Sequence, residues 1–261
     1  MSLDPLHEQI ARIALALPEA GRVALAGGGA MLAHDLVDRP TQDVDLFTPD
    51  PAEVTRLTDA LAVALRAEGA QVRVDRRGPG FTRLVVTVAG GRSVVVEIAH
   101  DARIREAVQL SFGRVLHPDE VAADKTLALF GRAAARDLVD VGAQLRRCTL
   151  EQLCELAAEK DAGFDRRVFA DALAAAAAHS DAAFAELGLG PATAAALRAS
   201  TAGWRAQLLD AAGMSADAVQ SIGRRTPPVS EALGSTSAQR PSERHRPPPS
   251  DASRDGPSLS R

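Results

Sequence analysis

The chain has 261 residues, 46% of them hydrophobic and 25% charged, enough for one large domain or two modest ones with a buried core. No apolar run is long enough to cross a bilayer, and the acidic start (Asp4, Glu8) is unlike a secretory signal. Two cysteines, Cys148 and Cys154, exclude a disulfide framework, so a cytoplasmic protein without membrane contact is expected. The net charge of −4 hides an asymmetry: from Arg224 to Arg261 seven arginines face four acids, which leaves −7 on the rest, as an acidic surface or as carboxylates gathered around a cation.

In chain order, Pro5 to Leu17 has apolar residues at helical spacing, and Val23 to Ala26 is a short apolar strand running into Gly27-Gly28-Gly29. Ala30 to Leu36 reads as a helix opening after the glycines. Asp43 to Phe47 alternates acid and apolar residues like a half-buried strand, and Pro51 to Glu68 is helical again. Val72 to Val74, Phe81 to Val88 and Ser93 to Ile98 read as a β-meander, the last two strands joined at Gly90-Gly91. Beyond His117-Pro118 the signals are helical: Asp119 to Arg147 with a break near Gly131, then Leu150 to Ala158, Asp165 to His179 and Ala192 to Ala212. From about Arg224 the chain is rich in Pro, Ser and Arg and too poor in apolar residues to offset its ordering entropy. The expected organisation is α+β: an α/β domain over 1–117, a helical domain over 118–222, and a disordered tail over 223–261.

The densest chemical signal is Gly27-Gly28-Gly29 between strand and helix, followed by Asp43-Val44-Asp45 on the next strand. Glycines there let backbone approach a ligand, and N–H groups at a helix start attract phosphate. Asp43 and Asp45, two apart on a strand, project from one face and repel unless a cation lies between them. Mg²⁺ is the natural candidate for an all-oxygen site beside phosphates. Glu97, in the otherwise apolar Val94-Val95-Val96-Glu97-Ile98 strand, is the candidate third ligand, with Asp101 as runner-up. No Gly-Lys-Ser or Gly-Lys-Thr follows the glycines, which excludes a P-loop, and the acid pair disfavours a dinucleotide fold. Of the 30 basic residues only Lys125 and Lys160 are lysines, a bias under which a retained lysine suggests a need for a compact point charge. His34, His100, Cys148, Cys154 and Trp204 read as ordinary packing or surface residues. Arg103, Arg105, Arg114, Arg132, Arg146 and Arg147 could flank RNA or simply solubilise the chain.

Gly27-Gly28, the Arg39 to Phe47 segment, Lys125, and Arg136-Asp137-Leu138-Val139-Asp140 occur in an order that resembles the AbiEii/AbiGii toxin family of nucleotidyltransferases, MenT-like enzymes of the DNA polymerase beta-like superfamily. The resemblance covers approximately residues 10–215. It implies a nucleotidyltransferase-type mixed sheet with flanking helices followed by a helical bundle. It also implies Asp43 and Asp45 on Mg²⁺, Gly27, Gly28 and Gly29 around a nucleoside triphosphate, and Lys125 on the phosphates. Asp137 would act in or beside the site, assisting deprotonation of the acceptor hydroxyl, and Asp140 would orient a neighbour, with Arg136 pairing to either. Gly29 departs from the pattern, since many relatives carry a hydroxyl residue there. The implied activity is transfer of a nucleoside monophosphate to a tRNA 3′ end by a toxin with a cognate antitoxin. A small-molecule (aminoglycoside-like) nucleotidyltransferase and a non-catalytic nucleotide-binding or interaction module are the alternatives.

Overall fold

Three helices start where a side chain able to cap an N-terminus precedes proline. In a computed structural model that describes residues 3–211, Asp4 caps α1 (Pro5–Ala16), Asp50 caps α3 (Pro51–Ala67) and His117 caps α4 (Pro118–Arg132). Each cap accepts a hydrogen bond from an otherwise unpaired first-turn N–H, and proline at the first position loses nothing by lacking its own. The expected tail over 223–261 lies outside the described residues.

Seven strands form one mixed sheet: β1 (Ala24–Leu25), β2 (Asp43–Thr48), β3 (Gln71–Gly78), β4 (Phe81–Thr87), β5 (Ser93–His100), β6 (Val108–Leu110) and β7 (Gly113–Val115), in the order β3-β4-β5-β2-β1-β7-β6. β2 runs parallel to β5 and β1 parallel to β7; the remaining pairs are antiparallel. The expected meander is β3-β4-β5. β6 and β7 were not anticipated, because three residues are too few to display an alternating pattern.

One face of the sheet is buried by α1 and α3. Val44 and Leu46 of β2, Leu84 and Val86 of β4, and Val94, Val96 and Ile98 of β5 meet Leu57, Leu61 and Leu65 of α3 in the main core. Each such side chain contributes about 1.5–3 kcal/mol by leaving water. The alternate residues Asp43, Asp45, Val95, Glu97, Arg83 and Val85 are only half-buried, so the opposite face stays open. The helix after the glycines, α2 (Gly27–Ala33), begins three residues earlier than expected. Gly28 and Gly29 pack closely on Thr41 and Leu25, and this packing overrides glycine's poor helix propensity.

The helical half continues with α5 (Ala135–Gln144), α6 (Leu150–Lys160), α7 (Arg166–Ala177), α8 (Asp181–Glu186) and α9 (Pro191–Ala211). α4 ends at Ala133, in the left-handed region (φ 49°), two residues past the anticipated Gly131. α8 was not anticipated; its six residues span less than two turns. α2 packs on α4, which joins the helical half to the sheet. The fold is α+β, and among the described residues no helix is long and apolar enough to cross a membrane.

Candidate active site

A cavity of about 840 Å³ opens between the exposed sheet face and the helical half. Gly27, Asp43, Asp45, Glu97 and Lys125 all line it. Lys125, 80 residues beyond Asp45, and Glu97, 52 residues beyond it, thus share one space with the Asp-x-Asp strand through the α2–α4 contact and the parallel β2–β5 pairing.

Asp43 and Asp45 lie on the open face of β2, and the β2–β5 register sets Glu97 directly beside Asp45. The Thr41 hydroxyl donates to Asp43 Oδ1 at 3.0 Å and fixes that carboxylate. Burial, reinforced by the Asp43 charge, pushes Asp45 up to about 7, against the opposing pull of Lys125. A carboxylate pair whose joint ionisation is this unfavourable has the donor chemistry of a divalent-cation site. Gly27 stands at φ +56°, and a Cβ there would collide with the Asp45 carboxylate. Gly28 leaves space for Thr41, whose Oγ1 would be 2.6 Å from a Cβ. Of the three glycines, only Gly27 lines the cavity.

Glu97 is committed on one side. Arg83, its antiparallel neighbour on β4, donates from Nε and Nη2 to Oε1 at 2.8 and 2.5 Å. Lys125 Nζ lies 3.0 Å from Asp140 Oδ2. Arg39 donates from Nε and Nη2 to the same carboxylate at 2.8 and 2.6 Å, so two cations share one acid. Burial alone would raise the Asp140 pKa, but Lys125 and Arg39 together hold it below the usual carboxylate value. Asp140 therefore orients both cations.

Asp137 is not brought to the cavity. It is fully buried, and both of its oxygens accept from Arg132 Nε and Nη2 at 2.7 Å. Arg132, five residues earlier, is in reach across the α4–α5 turn, whereas Arg136 points elsewhere. Arg136 pairs with neither Asp137 nor Asp140. It is exposed, lines the cavity without an acidic partner among the described residues, and its charge is felt at Asp45.

The runner-up acid Asp101 belongs to a second cluster on the same cavity. Asp101, Glu120 and Asp124 bring ligand atoms within 4.8 Å of one another, the arrangement expected of a metal site. Lys160 Nζ lies among them, 2.5 Å from Asp101, 2.6 Å from Glu120 and in close contact with Asp124. Burial would lower the Lys160 pKa, yet Asp124 and Asp101 hold it above the usual lysine value. The ammonium thus supplies the charge that a metal would bring. Glu120 also accepts from the backbone N–H groups of Ile104 and Arg105 at 2.9 and 2.8 Å, which fixes the segment after β5.

Sequence reasoning did not find Arg39, Thr41, Arg83 or the Lys160 cluster as site components. Lys160 left a signal as the second of two lysines, Asp101 as the runner-up acid, and Arg39 and Thr41 only as members of the Arg39 to Phe47 segment; the partners of Arg39 and Arg83 are distant in sequence or on a neighbouring strand. Trp204 of α9 approaches Gly142 of α5, in keeping with a packing role. His34 donates from Nε2 to the Leu116 carbonyl at 2.8 Å and is structural.

The family profile described as nucleotidyl transferase AbiEii toxin, type IV toxin–antitoxin system, matches residues 10–234. No curated protein matches the sequence. Among solved structures, the fold is similar to the MenT4 nucleotidyltransferase toxin of Mycobacterium tuberculosis H37Rv, with 21% identity, a TM-score of 0.55, and coverage of 81% of this chain and 85% of that one. It is also similar to JHP933 of Helicobacter pylori, with 16% identity, a TM-score of 0.50, and coverage of 84% of this chain and 100% of that one. At such identities these structures speak for the fold, and the profile speaks for the family. The chain belongs to the AbiEii family of nucleotidyltransferase toxins.

Proposed function

We propose that the protein transfers a nucleoside monophosphate from a nucleoside triphosphate to an acceptor hydroxyl, with Mg²⁺ held by Asp43 and Asp45. The observation that carries this reading is the shared cavity: the paired carboxylates, Gly27 and Lys125 line one space. Mg²⁺ bound there would offset charge on the attacking and leaving oxygens of an in-line displacement at the α-phosphate. Glu97, with Oε1 held by Arg83, stands beside Asp45 across the β2–β5 ladder and is the proposed third ligand.

The remaining residues bind and orient. Lys125 meets the triphosphate as a compact charge, and Asp140 and Arg39 set its position. Arg136, without an acidic partner, adds a second positive charge at the rim. The two cations on Asp140 together with Arg136 give this side of the cavity a positive surplus that suits a polyanionic substrate over a cationic aminoglycoside. Gly27 admits the nucleotide by lacking a side chain. Gly28 and Gly29 serve the packing of α2, and Asp137 braces Arg132 rather than touching the acceptor.

A tRNA 3′ end is the proposed acceptor and a cognate antitoxin the proposed partner, in line with the family and its type IV description. The test is incubation with each labelled nucleoside triphosphate, Mg²⁺ and total tRNA, comparing wild type with Asp45→Ala. Label on RNA from the wild type alone supports the proposal; transfer that survives the substitution defeats the metal assignment.

A further inference from the structure

We propose that the open sheet face beyond the carboxylates is a track for the phosphodiester backbone of a single-stranded RNA acceptor, with Arg76 and Arg73 on edge strand β3 as its distal contacts. This rests on the nucleotidyl-transfer reading above. The ladder registers place Asp45, Glu97, Arg83 and Arg76 in one row across four neighbouring strands. The next row on the same face is Asp43, Val95, Val85 and Arg73. Three inter-strand steps carry this face about 14 Å from the carboxylates to the sheet edge.

A β-bulge between Val74 and Arg76 makes the alignment possible. Strict alternation from Arg73 would turn Arg76 toward the α3 side; the extra residue returns it to the open face in line with Arg83. Arg77, one residue on, points the other way and pairs with Asp59 of α3 at 2.6 Å. Arg76 has no acidic partner among the described residues, and its guanidinium stands 5.5 Å from the Phe81 ring centre. Arg73 holds only an exposed pair with Asp75, which yields readily to a stronger anion. Phe81 lies on the same face as Phe47, both facing Ala99 across the ladder, so an aromatic surface runs beside the arginine row. Arginines that track phosphates beside a ring that accepts a base are the physical basis of single-strand binding. An acidic protein would satisfy the arginines but has no use for the half-buried ring.

The test uses the full-length protein and a short fluorescein-labelled single-stranded RNA, read by anisotropy over a salt series. Arg73→Gln/Arg76→Gln is compared with Arg66→Gln/Arg77→Gln, which removes equal charge from α3 and the covered side of β3. The first pair is expected to weaken RNA binding at least tenfold and to reduce the log–log salt slope by about 1.4, with the KM for the nucleoside triphosphate unchanged. The second pair is expected to leave both as in wild type. Equal weakening by both pairs, no weakening by the first, or equally tight binding of polyglutamate of matched charge overturns the proposal. RNA binding that follows the expectation without any nucleotide transfer keeps the track and defeats the transfer reading. Transfer to a small hydroxyl compound with RNA unbound does the reverse.

Discussion

At Asp45, burial and the neighbouring Asp43 charge favour the protonated carboxyl up to about pH 7, far above a free aspartate. A group raised in the folded state contributes stability below its unfolded pKa and loses it as pH rises through the folded one. Metal-free Asp45→Asn is therefore expected to melt several degrees above wild type at pH 8, with the difference vanishing near pH 4. Mg²⁺ should reverse the order at pH 8 by stabilising wild type alone, and thermal denaturation with and without the ion checks both signs. The same substitution should lower nucleotide transfer at least a thousandfold. Gly27→Ala is expected to lose most activity, by a hundredfold or more, because its Cβ displaces the Asp45 carboxylate and the positive φ is strained. Retained far-UV circular dichroism would separate this from unfolding.

At the scale of elements, two buried ionic clusters fix α4. Asp140 on α5 holds Lys125 of α4 and Arg39 of the segment before β2. Asp140→Ala should cost about 3–5 kcal/mol by leaving buried cations without their acid. Because its carboxyl pKa is lowered, that contribution is present above the unfolded value and fades as pH falls through the folded one, which urea titrations at pH 7 and pH 3 will resolve. Lys160 on α6 ties together α4 and the end of β5 through Glu120, Asp124 and Asp101. Lys160→Met leaves three close carboxylates and is expected to destabilise strongly at pH 8. It should do so less at pH 5, where Asp124, pushed up to about 7 by burial, takes a proton. Added Ca²⁺ should restore part of the loss, read as a rise in melting temperature absent from wild type.

For the whole molecule, these clusters and the α2–α4 contact make the sheet and the helices interdependent. One cooperative transition is expected, although the sequence divides them near residue 117. Trp204, the single tryptophan, reports on the helical half, while the carboxylates belong to the sheet. Mg²⁺ should therefore raise the Trp204 fluorescence midpoint as much as the circular dichroism midpoint. Separate transitions would show that the halves fold independently.

Local pattern sufficed wherever the cause is local. Helical spacing of apolar residues marked the helices from Pro5 and Pro51, two-residue spacing put Asp43 and Asp45 on one face, and a composition poor in lysine drew attention to Lys125. The glycine run was visible too, but its division of labour was not: Gly27 faces the site while Gly28 and Gly29 face neighbours contributed by Thr41 and Leu25. Ion pairing needed the folded chain. Asp140 meets Arg39 from 101 residues away, Glu97 meets Arg83 across a ladder, and Asp137 turns inward to Arg132. By itself the sequence determined the longer helices and strands and which side chains carry charge, because periodicity acts within a few residues, while the short β6, β7 and α8 were too brief to show one. Tertiary structure alone decided which acids face the cavity and which are neutralised, because at close range a charge is governed by its nearest partner in space, and chain order does not specify that partner.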